Sequence, residues 1–427
     1  MKKNEINYQA IINLQIKDLL FPPKYELLPN SHEAWDWEMA FLEMKSLSET
    51  ELKSRSAFFA KVNGDETAHY KMCNSIDTSI HNKKSIYTRA FFLANQFSTG
   101  YATHSLFPYR GKFHPQMVKG LLNITGVKPG ELILDPMAGS FTACIEAKLL
   151  GIDSIGIDLS PFCVLMGKAK SFATGINDHS FKNLTDNIPQ IFEIINDQTS
   201  NDVDLRELLS QHLSYSKEDE GIIDLIMLAF LDSVGYARRR VRKTPTDLFP
   251  EVFTRYYLTV KSFADYLSSN KPESTFGDLQ ASVGSILNLD LPDESIDCII
   301  TSPPYSFAID YVDNDSPQLQ ILGINIDELK RNMIGLKGIN RDERIQNYLE
   351  DMSTAFREMA RVLKRHKYCV VVIGSNSIQT HGVKLDEEFK LLAENVGFQL
   401  IRDMIKPIKG IQNTLHEEHI MFFRDVK

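Results

Sequence analysis

The sequence predicts a mostly parallel α/β sheet assembled from two separated blocks of chain, and three observations carry that expectation. Short apolar runs from about Phe113 to Gly175, and again from about Phe276 onward, end in Asp or Ser and alternate with helical patterns. Two of these runs pass directly into tight turns of small or rigid residues, Asp135 to Thr142 and Thr301 to Tyr305. A third, Cys369-Val370-Val371-Val372-Ile373, is β-branched along most of its length, as a central strand requires.

The elements follow in order. Glu131 to Asp135 reads as a buried strand, Thr142 to Leu150 as a helix stopped by Gly151, and Ser154 to Asp158 as the next strand. In the second block Ile296 to Thr301 is a strand, Glu350 to Leu363 an amphipathic helix, and Phe398 to Met404 and Ile420 to Arg424 are two further strands. These blocks delimit a cofactor-binding half at 104–175 and a catalytic half at 276–427. Between them, 176–275 reads as a helical insertion, almost wholly apolar from Ile222 to Tyr236 and then abruptly basic at Arg238-Arg239-Arg240-Val241-Arg242-Lys243. Residues 1–103 are rich in aromatics and poor in periodicity, and are expected to form an appended region.

Composition narrows the class. With 427 residues, 43% hydrophobic and 24% charged, the chain can bury two or three cores and is not disordered. No run approaches the roughly 20 apolar residues that cross a bilayer, and the amino terminus enters no signal-like apolar core, so a soluble cytoplasmic protein is expected. Five cysteines without a C-x-x-C pair exclude a disulfide framework and a Cys-built zinc site. The formal charge of -9 means that a nucleic-acid partner has to be met by a local basic patch.

The sharpest local feature is Asp135-Pro136-Met137-Ala138-Gly139-Ser140-Phe141-Thr142. A strand that ends in Asp and turns through small residues into a helix lets a ligand approach backbone N–H groups at the carboxyl end of a parallel sheet. An ordinary strand-to-helix turn is the competing reading of these residues alone. The second strand ends in Gly156-Ile157-Asp158-Leu159-Ser160-Pro161, where a carboxylate can accept both ribose hydroxyls of an adenosine. Its alternative is an Asp capping the helix that starts near Pro161. Together the two elements point to a nucleoside cofactor. The turn lacks both the G-x-G-x-x-G spacing and a phosphate loop, which favours S-adenosylmethionine over NAD.

The decisive element is Thr301-Ser302-Pro303-Pro304-Tyr305 at the end of a strand. Two consecutive prolines remove two N–H donors and stiffen the backbone, so nearby carbonyls become fixed acceptors that can orient an amine. Tyr305 offers a flat face for a base that has left its stack. Alone, the segment would read as a proline-stiffened loop with a core tyrosine. After two cofactor-like strands that reading loses weight.

On these residues the sequence resembles the S-adenosylmethionine-dependent amino-methyltransferases of DNA, most closely the cytosine-N4 branch. The resemblance implies a Rossmann-like class I methyltransferase sheet, mostly parallel and seven-stranded, carrying the helical insertion and the N-terminal appended region. It implies that Asp135, Pro136, Met137, Ala138, Gly139, Ser140 and Thr142 form the cofactor turn, that Asp158 and Leu159 hold the ribose side, and that Asp278 and Leu279, after Gly277, lie near the adenine. Phe113-His114-Pro115 resembles the segment that closes over the methionine end. Ser302, Pro303, Pro304 and Tyr305 take the catalytic role, with serine at the first position typical of cytosine-N4 enzymes. Phe141 departs from the pattern, standing where many relatives have a second glycine. The resemblance covers about Tyr109 to Gly175 and Phe276 to Lys427.

The partner so implied is double-stranded DNA, with a cognate restriction or defence partner in keeping with it. Arg238, Arg239, Arg240, Arg242 and Lys243 are expected to touch phosphates, against the plainer reading of a solvated helix end. His416 and His419, with Glu417 and Glu418, read more readily as a solvated turn than as a metal site, and the chemistry requires no metal. Adenine-N6 modification, guanine-N2 modification of transfer RNA and a catalytically inactive nucleic-acid-binding module remain the competing functions.

Overall fold

The computed structural model describes residues 16–77, 86–197, 204–213, 220–239, 243–270, 275–304, 310–374, 380, 382–408 and 417–426. Its N-terminal part contains a small antiparallel sheet of β1 (Tyr25–Leu27), β2 (Phe59–Val62) and β3 (Asp65–Glu66), with helix α1 (Ala34–Ser46) between the first two strands. The main sheet comprises β4 (Leu132–Asp135), β5 (Asp153–Asp158), β6 (Leu279–Val283), β7 (Ile296–Thr301), β8 (Leu363–Gly374), β9 (Phe398–Pro407) and β10 (Glu417–Asp425). Its seven strands lie in the order β6-β5-β4-β7-β8-β10-β9. The pairs from β6 across to β8 are parallel, and β10 is antiparallel to both β8 and β9. The sheet is therefore mostly parallel and seven-stranded, as the sequence predicts.

Helices cover both faces. On one side α2 (Pro115–Thr125) packs under the N-terminal part, in a core that unites Trp35, Phe58 and Met117 with Ile133, Ile300 and Val372 of the sheet. On the other, α7 (Arg341–Val362) packs through Tyr348, Met352, Phe356 and Met359. Helices α5 (Glu220–Arg239) and α6 (Pro245–Asn270) join α4 (Pro161–Thr174) in a separate apolar cluster. No helix among the described residues is long and apolar enough to cross a membrane.

Two elements are longer than their apolar pattern suggests. The helix expected from Glu350 starts at Arg341, because Asn340 caps it by accepting the Glu343 N–H and its first turns are charged rather than amphipathic. Strand β8 starts at Leu363, through a polar stretch that has no periodicity to announce it.

The turn after β4 is fixed by an unusual residue. Phe141, the N-cap of α3 (Thr142–Leu149), has φ +59°, a left-handed conformation that disfavours a bulky side chain by roughly 1–2 kcal/mol. Its ring is fully buried among Ala138, Cys144, Cys163 and Val164, and burying a phenylalanine contributes about 1.5–3 kcal/mol. Burial therefore outweighs strain. The slot exists because Gly156 of β5 and Gly167 of α4 lack a Cβ; one added at either place would overlap the Phe141 ring. Gly167→Ala is expected to destabilise the protein by about 1–3 kcal/mol in urea unfolding. Combined with Phe141→Gly it should cost less than the two single changes summed. Additive losses would show that the ring and the glycine do not share one slot.

Candidate active site

The carboxyl ends of β4, β5 and β7 open into one cavity of about 450 Å³. Most residues expected at the cofactor line it. From the turn after β4 come Asp135, Pro136, Met137, Ala138, Gly139 and Ser140; from β5 and its loop come Asp158 and Leu159. Phe113 and His114, ahead of α2, form another wall. Ser302, Pro303 and Pro304 line the same cavity, so the catalytic segment and the cofactor turn share one space.

The turn is held by its own polar groups. Asp158 accepts the Gly139 N–H at 2.8 Å and the Ser160 N–H at 2.9 Å, tying β5 to the turn. From below, the buried ammonium of Lys170 donates to the Ser140 carbonyl at 2.9 Å, and burial pushes its pKa well down. Gly139 has φ +48°, and a Cβ built there would meet only the Tyr109 ring, at 3.8 Å, so its backbone faces open space.

Asp135 is 1% exposed and accepts the Met137 N–H at 3.3 Å. Burial, reinforced by the nearby Asp158, lifts its pKa to about 7, and burial raises that of Asp158 as well. A cationic ligand relieves such a setting. His114 accepts the Met117 N–H through Nδ1 at 3.2 Å, and burial lowers its pKa to about 3, so the imidazole is neutral. An open glycine cradle, an acceptor carboxylate at the end of β5 and two carboxylates that favour a cation fit S-adenosylmethionine, whose sulfonium is positive.

The catalytic segment is equally fixed. The Ser302 hydroxyl donates to the Val372 carbonyl of β8 at 3.0 Å, which leaves its lone pairs as acceptors. The Pro304 carbonyl accepts from the Tyr348 hydroxyl of α7, also at 3.0 Å. Tyr305 lies outside the described residues.

Four expected site residues lie elsewhere. Asp278 is exposed at the amino end of β6, where its N–H donates to the Asp153 carboxylate, and Leu279 pairs with Ser154. Both sit at the opposite end of the sheet from the cavity. Gly284, Ser285 and Ile286, just past the carboxyl end of β6, line the cavity instead. Thr142 is fully buried, with Oγ1 3.0 Å from the Ser140 hydroxyl, and Pro115 is buried at the first position of α2; neither lines the cavity. Of the basic cluster, Arg238 and Lys243 are exposed, Arg239 ends α5, and Arg240 and Arg242 lie outside the described residues. The Arg238 guanidinium donates to the Asp313 carbonyl at 3.4 Å, beside the segment that follows the catalytic motif. His416 is likewise outside the described residues, and His419 is engaged by the Asp403 carboxylate at 3.0 Å. No group of His, Cys, Asp or Glu among the described residues is arranged to hold a metal.

Sequence reasoning missed Tyr109, Tyr311, Asp315 and Tyr348. The first two rings stack at 6.3 Å with an 11° interplanar angle in the cavity wall, and burial raises the Asp315 pKa to about 7. Only Tyr109, at the edge of the resemblance, carried a signal, and it was too weak to separate from that of a core aromatic.

The fold and this cavity suit an S-adenosylmethionine-dependent methyltransferase, and two stretches of the chain match methyltransferase families. Residues 296–424 match the DNA methylase family and residues 105–191 the RMKL-like methyltransferase domain. The chain is similar to the Type II methyltransferase M.BsoBI of Geobacillus stearothermophilus, with 26% identity over 283 residues, 54% of either chain. It therefore spans about half the length of that relative. It also resembles the Type II methyltransferase M.MjaII of Methanocaldococcus jannaschii, 40% identical over 19% of this chain and 15% of that one. A third likeness is to the tRNA (guanine(10)-N2)-dimethyltransferase of Methanothermobacter thermautotrophicus, 40% identical over 12% of this chain and 16% of that one.

The raised Asp135 pKa has a signed consequence. Below the usual carboxylate pKa of 3.8 both folded and unfolded states hold the proton; as pH rises towards about 7 only the folded state keeps it, so stability falls over that window. Asp135→Asn keeps an acceptor and carries no charge. Its stability advantage over wild type should grow from pH 4 to pH 7 to about 4 kcal/mol and then level off, as read by urea unfolding without cofactor. A gap independent of pH would mean that Asp135 titrates normally.

The Tyr348 hydroxyl holds a backbone carbonyl of the catalytic segment, so its role is positional. Tyr348→Phe should lower kcat for methyl transfer about tenfold, the worth of one hydrogen bond, and leave cofactor affinity unchanged. Equal losses in kcat and cofactor affinity would point to a general packing defect instead.

Proposed function

We propose that the protein transfers a methyl group to the exocyclic amine of a base flipped out of double-stranded DNA, and that the base is cytosine, modified at N4. The observation that carries this reading is the meeting of the cofactor turn, Asp158 and the Ser302-Pro303-Pro304 backbone in one cavity. S-adenosylmethionine, when bound, supplies a methyl carbon activated by its sulfonium. Transfer forms the N–C bond as the S–C bond breaks, and one amine proton leaves to solvent.

An exocyclic amine is a poor nucleophile because its lone pair is delocalised into the ring. Ser302, donating to Val372, offers a lone pair to one amine hydrogen, and the Pro303 carbonyl accepts the other. Together they draw the nitrogen towards tetrahedral geometry. Asp158 takes the ribose hydroxyls, while Tyr305 stacks on the base. Alignment of two bound reactants can remove roughly 7–11 kcal/mol of barrier, so positioning supplies most of the catalysis.

Serine at the first position of the motif supports cytosine over adenine, since a short hydroxyl suits the smaller ring. The names of the two Type II relatives support DNA as substrate. Arg238 and Lys243, at the turn from α5 into α6, contact phosphates in this reading, with Arg239, Arg240 and Arg242 of the same cluster. A cognate restriction or defence partner would accompany such an enzyme.

Nucleoside mass analysis of DNA incubated with protein and cofactor should find N4-methylcytosine. Ser302→Ala combined with Tyr305→Ala should abolish transfer and keep cofactor binding. N6-methyladenine alone would move the assignment to adenine, and product in transfer RNA but not DNA would move it to the reaction named for the third relative.

A further inference from the structure

Ile339 is 93% exposed, the most exposed large apolar side chain among the described residues. A single aliphatic side chain in solvent is ordinary on a protein surface. The position of this one and the way it is held are not.

Helix α7 runs into β8, and β8 is parallel to β7, so the amino terminus of α7 points out over the carboxyl end of the sheet, where the cavity opens. Tyr348 marks the level of the catalytic segment, since its hydroxyl holds the Pro304 carbonyl. From Tyr348 back to the cap at Asn340 the helix rises about 12 Å, at roughly 1.5 Å per residue. Ile339 therefore stands well beyond the catalytic segment, on the side from which a duplex must approach.

The turn that presents it is braced from the helix. The Ile339 N–H donates to the Glu343 carboxylate at 2.9 Å, the Gly338 carbonyl accepts from Arg344 at 3.1 Å, and the Lys337 carbonyl accepts from Asn347 at 3.2 Å. Gly338 has φ +121°, open only to glycine. These bonds fix the backbone that carries the exposed Ile339 side chain.

The stretch from Lys330 to Arg341 also carries four basic residues and no acidic one, in a chain of net charge -9. Lys330 is anchored by Asp313 and Lys337 by Asp351, while Arg331 is exposed. Asn332, Met333 and Ile334 of the same stretch line the cavity. One short segment thus joins the wall of the site to an exposed apolar tip, with Arg331 exposed on the same stretch.

We propose that Ile339 is a wedge that enters the duplex beside the flipped base and fills the space it leaves. The proposal rests on the DNA reading above. A base that leaves its stack exposes two apolar faces to water, and a branched aliphatic side chain between them replaces the lost stacking. The basic stretch holds the flanking phosphates while Ile339 is inserted.

Full-length Ile339→Ala and Ile339→Leu test this with tritium-labelled cofactor and bulk duplex DNA. The Ala variant should transfer methyl groups at least about tenfold more slowly, the Leu variant within about threefold of wild type, and both should bind cofactor as wild type does. Neither change removes a buried contact, so lost turnover with intact cofactor affinity reports on DNA. An Ala variant at the wild-type rate, or one that loses cofactor affinity in step with turnover, overturns the wedge. Wild-type protein that labels no DNA overturns the DNA reading itself.

Discussion

The site depends on a reversal of the chain that places a phenylalanine where backbone geometry favours glycine. Phe141 turns the chain from β4 into α3, and its ring is clasped between β5 and α4 at two positions that must lack a Cβ. Because the ring reaches both neighbours, the turn cannot shift without moving β5, the strand that carries Asp158. Asp158 holds the turn from one side and Lys170 from below. The cradle is thereby formed before any ligand arrives, which lowers the ordering cost of binding.

The N-terminal part holds a second wall of the same cavity. Helix α2 is buried around its circumference, polar residues included: Gln116 donates to the Ala57 carbonyl, Asn123 to the Glu43 carboxylate, and Lys119 lies 3.2 Å from His69. Each partner comes from the N-terminal part. A buried polar group left without a partner costs about 1–3 kcal/mol. Without that layer α2 would expose or orphan these groups, and Phe113 and His114, which lead into it, would lose their support.

Much of the sheet was legible because its inner strands are apolar runs ending in Asp or Ser at the site. Asp135, Asp158 and Ser302, expected on that ground, all line the cavity. Strand β6 was not: Leu279-Gln280-Ala281-Ser282-Val283 is a short, half-exposed edge with no apolar run, so the expected adenine contact fell at its start, whereas the cavity lies past its end. Tyr348 was hidden differently. In sequence it stands just ahead of the helix expected from Glu350, with nothing to mark it, and only the fold brings it to a carbonyl 44 positions away. The polar residues of α2 carry no local sign of burial either, because their partners lie up to 86 positions upstream. Local pattern carries no information about such distant pairs.

The order of the last strands has a consequence for synthesis. β9 precedes β10 in the chain, yet β10 lies between β8 and β9. Until the nine residues Glu417–Asp425 have left the ribosome, β9 has no neighbour in the main sheet and the edge of β8 stays open. The cofactor half can be complete while this slot is empty. Lys406 and Glu418, which pair across the late-closing strands, line the cavity. A nascent chain thus completes the cavity walls carried by β4 and β5 before those carried by β9 and β10 have taken shape.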